Sequence, residues 1–175
     1  MDPIRTAIET ALEANWKRLY GYALSLTRNP DDARDLIQQS AVNALASSNA
    51  PSDPKALRAW LFRILRNAWI DQYRRTKVRM DEDSAGQRDD AGWNYDDRII
   101  AGITVRQGLS VIDPLYREVI ELVDIHGFQY TDVAVVLDVP IGTVMSRLSR
   151  ARLSLLEVIA GDNLRPMQTL RVRRK

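Results

Sequence analysis

Arginine and aromatic side chains alternate along residues 57–75, LRAWLFRILRNAWIDQYRR. Guanidinium groups can follow the phosphates of a nucleic acid, while aromatic faces can receive unstacked bases. Trp60 fits an apolar helical stripe and is expected to be buried, whereas Phe62 and Trp69 fit either a core or a surface. The segment predicts a surface for single-stranded nucleic acid, formed by Arg58, Arg63, Arg66, Trp69, Tyr73, Arg74 and Arg75. The alternative is that these arginines only solvate a helix face.

A second group of candidate side chains lies in residues 141–160. Apolar residues recur there at intervals of four and three, which predicts an amphipathic helix with one buried face. The opposite face offers hydroxyl and guanidinium groups and has no carboxylate before Glu157. Arginine can bind guanine through paired hydrogen bonds, and Ser or Thr can contact bases or phosphates. We expect this face to enter the major groove of duplex DNA through Thr143, Ser146, Arg147, Ser149 and Arg150. A plain helical bundle is the alternative.

Side chains suited to covalent or metal chemistry are scarce. The chain has no cysteine and one histidine, His126, which excludes thiolate zinc sites and makes a histidine triad hard to build. The sequence contains no Gly-rich phosphate loop and no nucleophile elbow. Because Gly127 follows it, His126 is interpreted as a helix end. An enzyme is therefore the weakest hypothesis, and we expect no catalytic residue, no metal and no cofactor.

Helical periodicity dominates the chain, and a first helix is predicted over about residues 3–27. Asn29-Pro30 and Asp53-Pro54 each predict a further helix start. Asn or Asp can cap the first amides of a helix, and proline fits the first helical position. The three predicted helices can cover one another's apolar faces, so we expect a helical bundle over residues 1–80.

Charge is segregated along the chain, although the formal net charge is only +2. Residues 55–79 hold eight Lys or Arg against one acid, and residues 138–175 hold eight against three. Residues 81–97, between them, hold seven acids against one arginine, contain two glycines and lack periodicity. Such a segment is typical of a flexible linker, and cationic surfaces commonly meet nucleic acid.

After this acidic segment the helical signals return. Asp113-Pro114 predicts a helix start, and a short helix over 131–137 is followed by the turn 138–140 and a longer helix. Two helices joined by a turn of three or four residues form the helix-turn-helix signature. We therefore expect an all-α protein of two small helical domains that share few contacts. Its parts are the bundle (1–80), a flexible acidic linker (81–97), a helix-turn-helix domain (98–162) and a basic tail (163–175).

Both modules resemble one known family. Residues 139–152, VPIGTVMSRLSRAR, resemble the promoter-reading C-terminal domain of extracytoplasmic-function (ECF) sigma factors of bacterial RNA polymerase. Residues 19–45, LYGYALSLTRNPDDARDLIQQSAVNAL, resemble the polymerase-docking part of their N-terminal domain, and residues 57–75 resemble the part that reads and melts the −10 element. The resemblance covers about residues 10–160. It implies a sigma factor that binds core RNA polymerase and directs sequence-specific transcription initiation.

The resemblance also assigns roles to side chains. It implies that the face of the last helix reads duplex −35 DNA and that Asn67 joins the arginine and aromatic set at single-stranded −10 DNA. It implies polymerase docking by Asp35, Leu36, Gln38 and Gln39. Arg34 stands where many relatives carry an acid, and Met145 and Ser149 replace residues that are often basic or bulky. The −35 sequence preference of the family therefore does not carry over.

Two further classes of protein share parts of this pattern. A one-component transcriptional regulator also uses a helix-turn-helix, but its other module usually senses a ligand or dimerises. A sigma mimic that sequesters an anti-sigma protein generally carries a receiver domain, for which 175 residues leave no space. The resemblance adds an anti-sigma factor as a candidate partner. Without a secretion signal or a long apolar run, a cytoplasmic location is expected.

Overall fold

The computed structural model describes residues 3–82 and 100–163, with the side chains of residues 3–76 and 105–160. All regular secondary structure in these ranges is helical, which confirms the all-α prediction. None of the helices there is long and apolar enough to cross a membrane. The predicted linker and tail lie outside the described residues, apart from their first one or two positions. The helices are α1 (Pro3–Thr27), α2 (Pro30–Leu45), α3 (Pro54–Glu82), α4 (Ile100–Val111), α5 (Pro114–Ile120), α6 (Tyr130–Leu137) and α7 (Ile141–Asn163).

The predicted helix starts are confirmed. Asn29 caps α2, because its Oδ1 accepts hydrogen bonds from the amides of Asp31 at 2.8 Å and Asp32 at 3.3 Å. Asp53 accepts from the Ala56 amide at 2.8 Å at the start of α3, and Asp113 accepts from the Leu115 amide at 2.7 Å at the start of α5. Each such cap stabilises its helix by about 1 kcal/mol.

A π-helical turn, Glu121–Ile125, continues α5 and was not predicted. Gly127 ends it with a φ of +68°, as expected of a left-handed stop. The Phe128 amide then donates to the Leu122 carbonyl at 3.0 Å. The sequence does not predict this turn, because the spacing of apolar residues does not reveal one extra residue in a helical turn. The turn brings Phe128, only 4% exposed, into the core.

The first three helices pack pairwise into the predicted bundle. Their buried faces meet through apolar side chains, among them Leu19, Ala33, Ile37, Leu61 and Leu65. In the second module α7 packs against α4, α5 and α6. Gly108 lets α4 approach α7 closely, since a Cβ there would stand 2.7 Å from Cδ1 of Leu155.

The two modules do not stand apart. α3 packs along α6, and one cluster of buried apolar residues runs through both modules. Phe62 of α3 is fully buried, and its ring centroid lies 4.8 Å from that of Phe128 in an edge-on arrangement. The expectation of few mutual contacts is therefore wrong. Burial of a phenylalanine side chain contributes about 1.5–3 kcal/mol to stability. Contact between the modules is therefore favoured over exposure of Phe62 and Phe128 to water.

Candidate nucleic-acid interface

The turn between α6 and α7 sets the direction of the last helix. Asp138 adopts a left-handed conformation with φ of +55°, which a short polar side chain tolerates better than a branched one. The amides of Thr143 and Val144 donate to the Pro140 carbonyl at 2.9 and 3.2 Å, so α7 begins immediately after the turn. These contacts confirm the predicted helix-turn-helix.

The outer face of α7 presents most of the predicted DNA-reading residues. The buried face of α7 holds Val144, Leu148 and Ala151. On the other side Ser146, Ser149 and Arg150 are exposed, while Thr143 and Arg147 are half-buried. The Ser146 hydroxyl donates to the Thr143 carbonyl at 3.1 Å, so a DNA contact through its proton requires that bond to be exchanged.

A neighbouring arginine on α7 has a different environment. Arg152 binds the Asp124 carboxylate through two nitrogens, Nη2 at 2.7 Å and Nε at 3.2 Å. Bidentate pairing of this kind fixes the plane of the guanidinium group. Arg150 has no such carboxylate within the described residues. Of these two arginines, only Arg150 has a guanidinium that is not paired with a carboxylate in the described part of the chain.

The second half of α3 carries the other predicted surface. Arg63, Asn67, Arg74 and Arg75 are exposed. Trp69 is half-buried and stacks on Tyr73 with a centroid distance of 5.8 Å and an interplanar angle of 29°. Tyr73 keeps 42% of its surface exposed. Of the remaining aromatic residues Trp60 is half-buried and Phe62 lies in the core, so Tyr73 is the one exposed aromatic side chain of the described part of this helix.

Each of the two modules matches a different family model. The family model of sigma-70 region 2 matches residues 11–79, which cover α2 and most of α1 and α3. The model of sigma-70 region 4 matches residues 104–155, from α4 into α7. The ECF RNA polymerase sigma factor EcfG of Rhodopseudomonas palustris is 31% identical over an alignment of 181 positions, which covers 97% of this chain and 96% of that protein. The chain belongs to the ECF RNA polymerase sigma factors.

Further relatives agree with this assignment. The ECF sigma factor SigM of Mycobacterium tuberculosis is 28% identical and aligns with 92% of this chain and 83% of its own length. The sigma factor RpoE of Bartonella quintana, solved in complex with the anti-sigma factor NepR, has a TM-score of 0.73 and 28% identity, with 88% of this chain and 97% of that chain covered. CnrH, solved with the cytosolic domain of CnrY, has a TM-score of 0.62 and 25% identity, with 92% and 99% covered. The protein directs RNA polymerase to promoters and acts in transcription initiation.

The predicted polymerase-docking residues of this sigma factor do not share one face of α2. Asp35, Gln38 and Gln39 are exposed, and the Gln39 amide donates to Oδ1 of Asn43 at 2.9 Å. Leu36 is only 2% exposed and belongs to the core of the bundle. The proposal of Leu36 as a docking contact is therefore corrected: its side chain stabilises the bundle and lies away from the exposed polar face.

Two arginines predicted for −10 DNA contact the second module of the sigma factor instead of solvent. Arg66 Nε and Nη2 lie 2.8 and 3.4 Å from the two carboxylate oxygens of Glu118. Arg58 donates to the His126 carbonyl, and its guanidinium carbon lies 4.1 Å from the centroid of the Phe128 ring. In this arrangement neither guanidinium is free to bind phosphate.

Sequence reasoning missed the partners of these arginines. Glu118 is buried and also accepts a 2.8 Å hydrogen bond from the Tyr22 hydroxyl. Burial raises the pKa of Tyr22 well above its ordinary value, and the nearby Glu118 carboxylate adds to the rise. A signal was present, because Glu118 precedes the buried Leu122 by four residues and thus lies on the apolar side of its helix. A carboxylate at such a position requires a partner.

His126 lies at the junction of the modules. Its ring contacts those of Tyr22 and Phe62 edge-on, with centroid distances of 5.9 and 5.5 Å. Burial, with a smaller contribution from the guanidinium groups of Arg58 and Arg18, lowers its pKa to about 4. His126 therefore lies at the end of a helix, as predicted, and its ring also packs against α1 and α3. Among the described residues no cluster of three or more His, Asp or Glu side chains could hold a metal ion.

Proposed function

We propose that the two modules divide promoter recognition between them. Residues 1–80 dock on core RNA polymerase and read and melt the −10 element, and residues 98–162 read the −35 element. Residues 81–97 join them, and the basic segment 163–175 adds nonspecific attraction to phosphates. The matches to sigma-70 regions 2 and 4 support this division. Polymerase performs the catalysis, and the sigma factor acts with it in the cytoplasm as a binding protein.

The observation that carries the −35 assignment is the contrast between two arginines on α7. Arg150 is exposed beside Ser146 and Ser149, whereas Arg152 is held by Asp124 at 2.7 Å. A guanidinium that already has a bidentate carboxylate partner gains little from a second acceptor, and a free one can bind guanine. We assign base reading to the face that contains Arg150.

Replacement of each arginine tests this assignment. Arg150→Ala should weaken −35 binding by about 1–3 kcal/mol and relax specificity at one base position, whereas Arg152→Ala should leave specificity unchanged. The measurement is binding of reconstituted holoenzyme to a set of duplexes that carry every base at each −35 position. An equal loss on all sequences, with a salt slope reduced by about one unit, would make Arg150 a phosphate contact and contradict base reading.

The −10 role rests on the exposed part of α3. Arg63, Arg74 and Arg75 can follow a DNA backbone, and the Trp69–Tyr73 pair offers an aromatic face. Asn67, exposed between Arg63 and the aromatic pair, is our candidate for a base contact. The exposed residues Asp35, Gln38 and Gln39 form the proposed polymerase-docking face.

We also propose an anti-sigma factor as a partner. The support is that two similar sigma factors were solved in complexes, one with the anti-sigma factor NepR and one with the cytosolic domain of CnrY. Capture of partners from the native cell with the full-length chain as bait tests this. Recovery of polymerase subunits with no further stoichiometric protein, in uninduced cells, would argue against sequestration.

A further inference from the structure

The junction between the modules has an apolar part and a charged part. In the apolar part Phe62 of α3 stacks on Tyr22 of α1 at 5.3 Å and meets Phe128 edge-on at 4.8 Å. These rings are continuous with the cores of both modules. This apolar contact is sufficient to explain why the modules pack together. It does not explain why the carboxylate of Glu118 is buried in the same junction.

Glu118 supplies the charge, and all its side-chain donors come from the other module. Its side chain is 9% exposed and that of Arg66 is 15% exposed. The donors are the Tyr22 hydroxyl on α1, at 2.8 Å, and the Arg66 guanidinium on α3, also at 2.8 Å. A buried carboxylate without a partner is strongly unfavourable, and one whose partners are well placed is tolerated. Glu118 is therefore satisfied in its buried position only when the modules are closed.

We propose that this contact is an autoinhibitory latch, in which the Glu118 carboxylate occupies the Arg66 guanidinium that phosphate groups of −10 DNA would otherwise bind. The latch rests on the −10 role proposed above for α3. A carboxylate and a phosphate present similar paired oxygen acceptors to a guanidinium, so the two compete for the same donor. Arg58 is withdrawn from DNA by the same closure, through the His126 carbonyl and the Phe128 ring.

The energetics suit a contact that must open. A buried ion pair adds little net stability, because desolvation of both charges offsets most of their attraction. Removal of one partner is more costly, because the other charge is left buried. A closed state populated at about 90% lowers apparent DNA affinity about tenfold, which binding of the open form can overcome.

The test uses the full chain, which has no cysteine of its own. Spin labels at Lys17→Cys on α1 and Glu157→Cys on α7, both exposed, report the separation of the modules. Glu118→Gln keeps the shape of the side chain and removes its charge. Glu13→Gln, at an exposed position on α1, is the matched control with the same change in net charge. Tyr22→Phe removes one hydrogen bond and keeps both charges.

We expect a single short distance in the parent chain and in Glu13→Gln, and a broader, longer distribution in Glu118→Gln. Tyr22→Phe should shift the distribution in the same direction by a smaller amount. Affinity of the free chain for a mixed-sequence 20-nucleotide single strand, as probe, should rise about tenfold in Glu118→Gln beyond any rise in Glu13→Gln. The control is needed because loss of any negative charge favours binding to phosphates.

Two outcomes would overturn the latch. One is an unchanged distance distribution in Glu118→Gln with parental helicity by circular dichroism. The other is a longer distance with a strand affinity no higher than that of Glu13→Gln, which would remove the inhibitory role. The distances are measured without DNA or polymerase, so the latch can fail while promoter-directed transcription succeeds. Failure of transcription with core polymerase would instead contradict the proposed function.

Discussion

At the scale of single residues, His126 couples the junction to pH. It is neutral in the folded protein because burial, Arg58 and Arg18 lower its pKa to about 4, against 6.5 for an exposed histidine. The unfolded chain therefore binds a proton that the folded chain does not, over the range between these two values. Stability from this residue is fully present above pH 6.5 and is lost as the pH falls towards 4.

Replacement of the ring tests this coupling. His126→Phe keeps an aromatic ring beside Tyr22 and Phe62 but cannot take up a proton. Between pH 7.5 and 4.5 the parent chain should lose about 1–2 kcal/mol more unfolding free energy than the variant, a figure reduced for partial exposure of the ring. Urea unfolding at a series of pH values measures this. Burial raises the pKa of Glu121, so the contribution of Glu121 to stability is lost as the pH rises, in the opposite sense to that of His126. Both proteins carry Glu121, so its effect cancels in the comparison. Parallel curves would contradict the coupling.

At the scale of elements, α2 has one buried face and one exposed polar face. Leu36 and Ile37 face the core, and Asp35 and Gln38 face solvent. We therefore expect neighbouring positions on this helix to affect different properties: substitutions on the inner face should change stability, and those on the outer face should change the proposed docking on polymerase.

A pair of alanine substitutions separates the two faces. Leu36→Ala should lower the unfolding free energy by about 2–5 kcal/mol, because it leaves a cavity in the bundle. Gln38→Ala should change stability by less than about 0.5 kcal/mol and weaken binding to core polymerase by about 3–10-fold, the value of one hydrogen bond. Gln72→Ala, at an exposed glutamine of α3, is the control for both measurements. Equal polymerase affinity for Gln38→Ala and Gln72→Ala would exclude Gln38 from the docking face.

At the scale of the whole molecule, the free sigma factor has few means to open DNA. Each unstacked step costs a few kcal/mol, and stacking on an aromatic ring returns about 1–3 kcal/mol per base. Phe62 is fully buried, and the exposed ring of Tyr73 is stacked on Trp69. Arg58 and Arg66 are held by the second module. We therefore expect promoter opening to depend on contacts that polymerase supplies.

Permanganate footprinting tests this dependence. The free chain should produce no reactive thymines on a promoter selected by the reconstituted holoenzyme, and its duplex binding should be weak and strongly salt-dependent. Addition of core polymerase should make thymines of the −10 region reactive. Core polymerase without the chain is the control. Thymine reactivity with the chain alone would contradict the dependence on polymerase.

Much of the fold was determined by the sequence alone. Asn29, Asp53 and Asp113 start helices through local hydrogen bonds to amides two or three residues ahead. The stripe of Val144, Leu148 and Ala151 orients α7, and with it the exposed face around Arg150. Such features depend on residues within one or two turns of each other, so periodicity and capping rules suffice to predict them.

Only the tertiary structure decided how the two modules meet. The hydroxyl of Tyr22 and the carboxylate of Glu118 are 96 residues apart and form a 2.8 Å hydrogen bond, and Arg66 reaches the same carboxylate across 52 residues. The π turn that precedes Phe128 also escapes helical periodicity. No local rule selects partners at such separations. These contacts depend on which apolar faces of the helices pack together, and on the need of a buried carboxylate for hydrogen-bond donors.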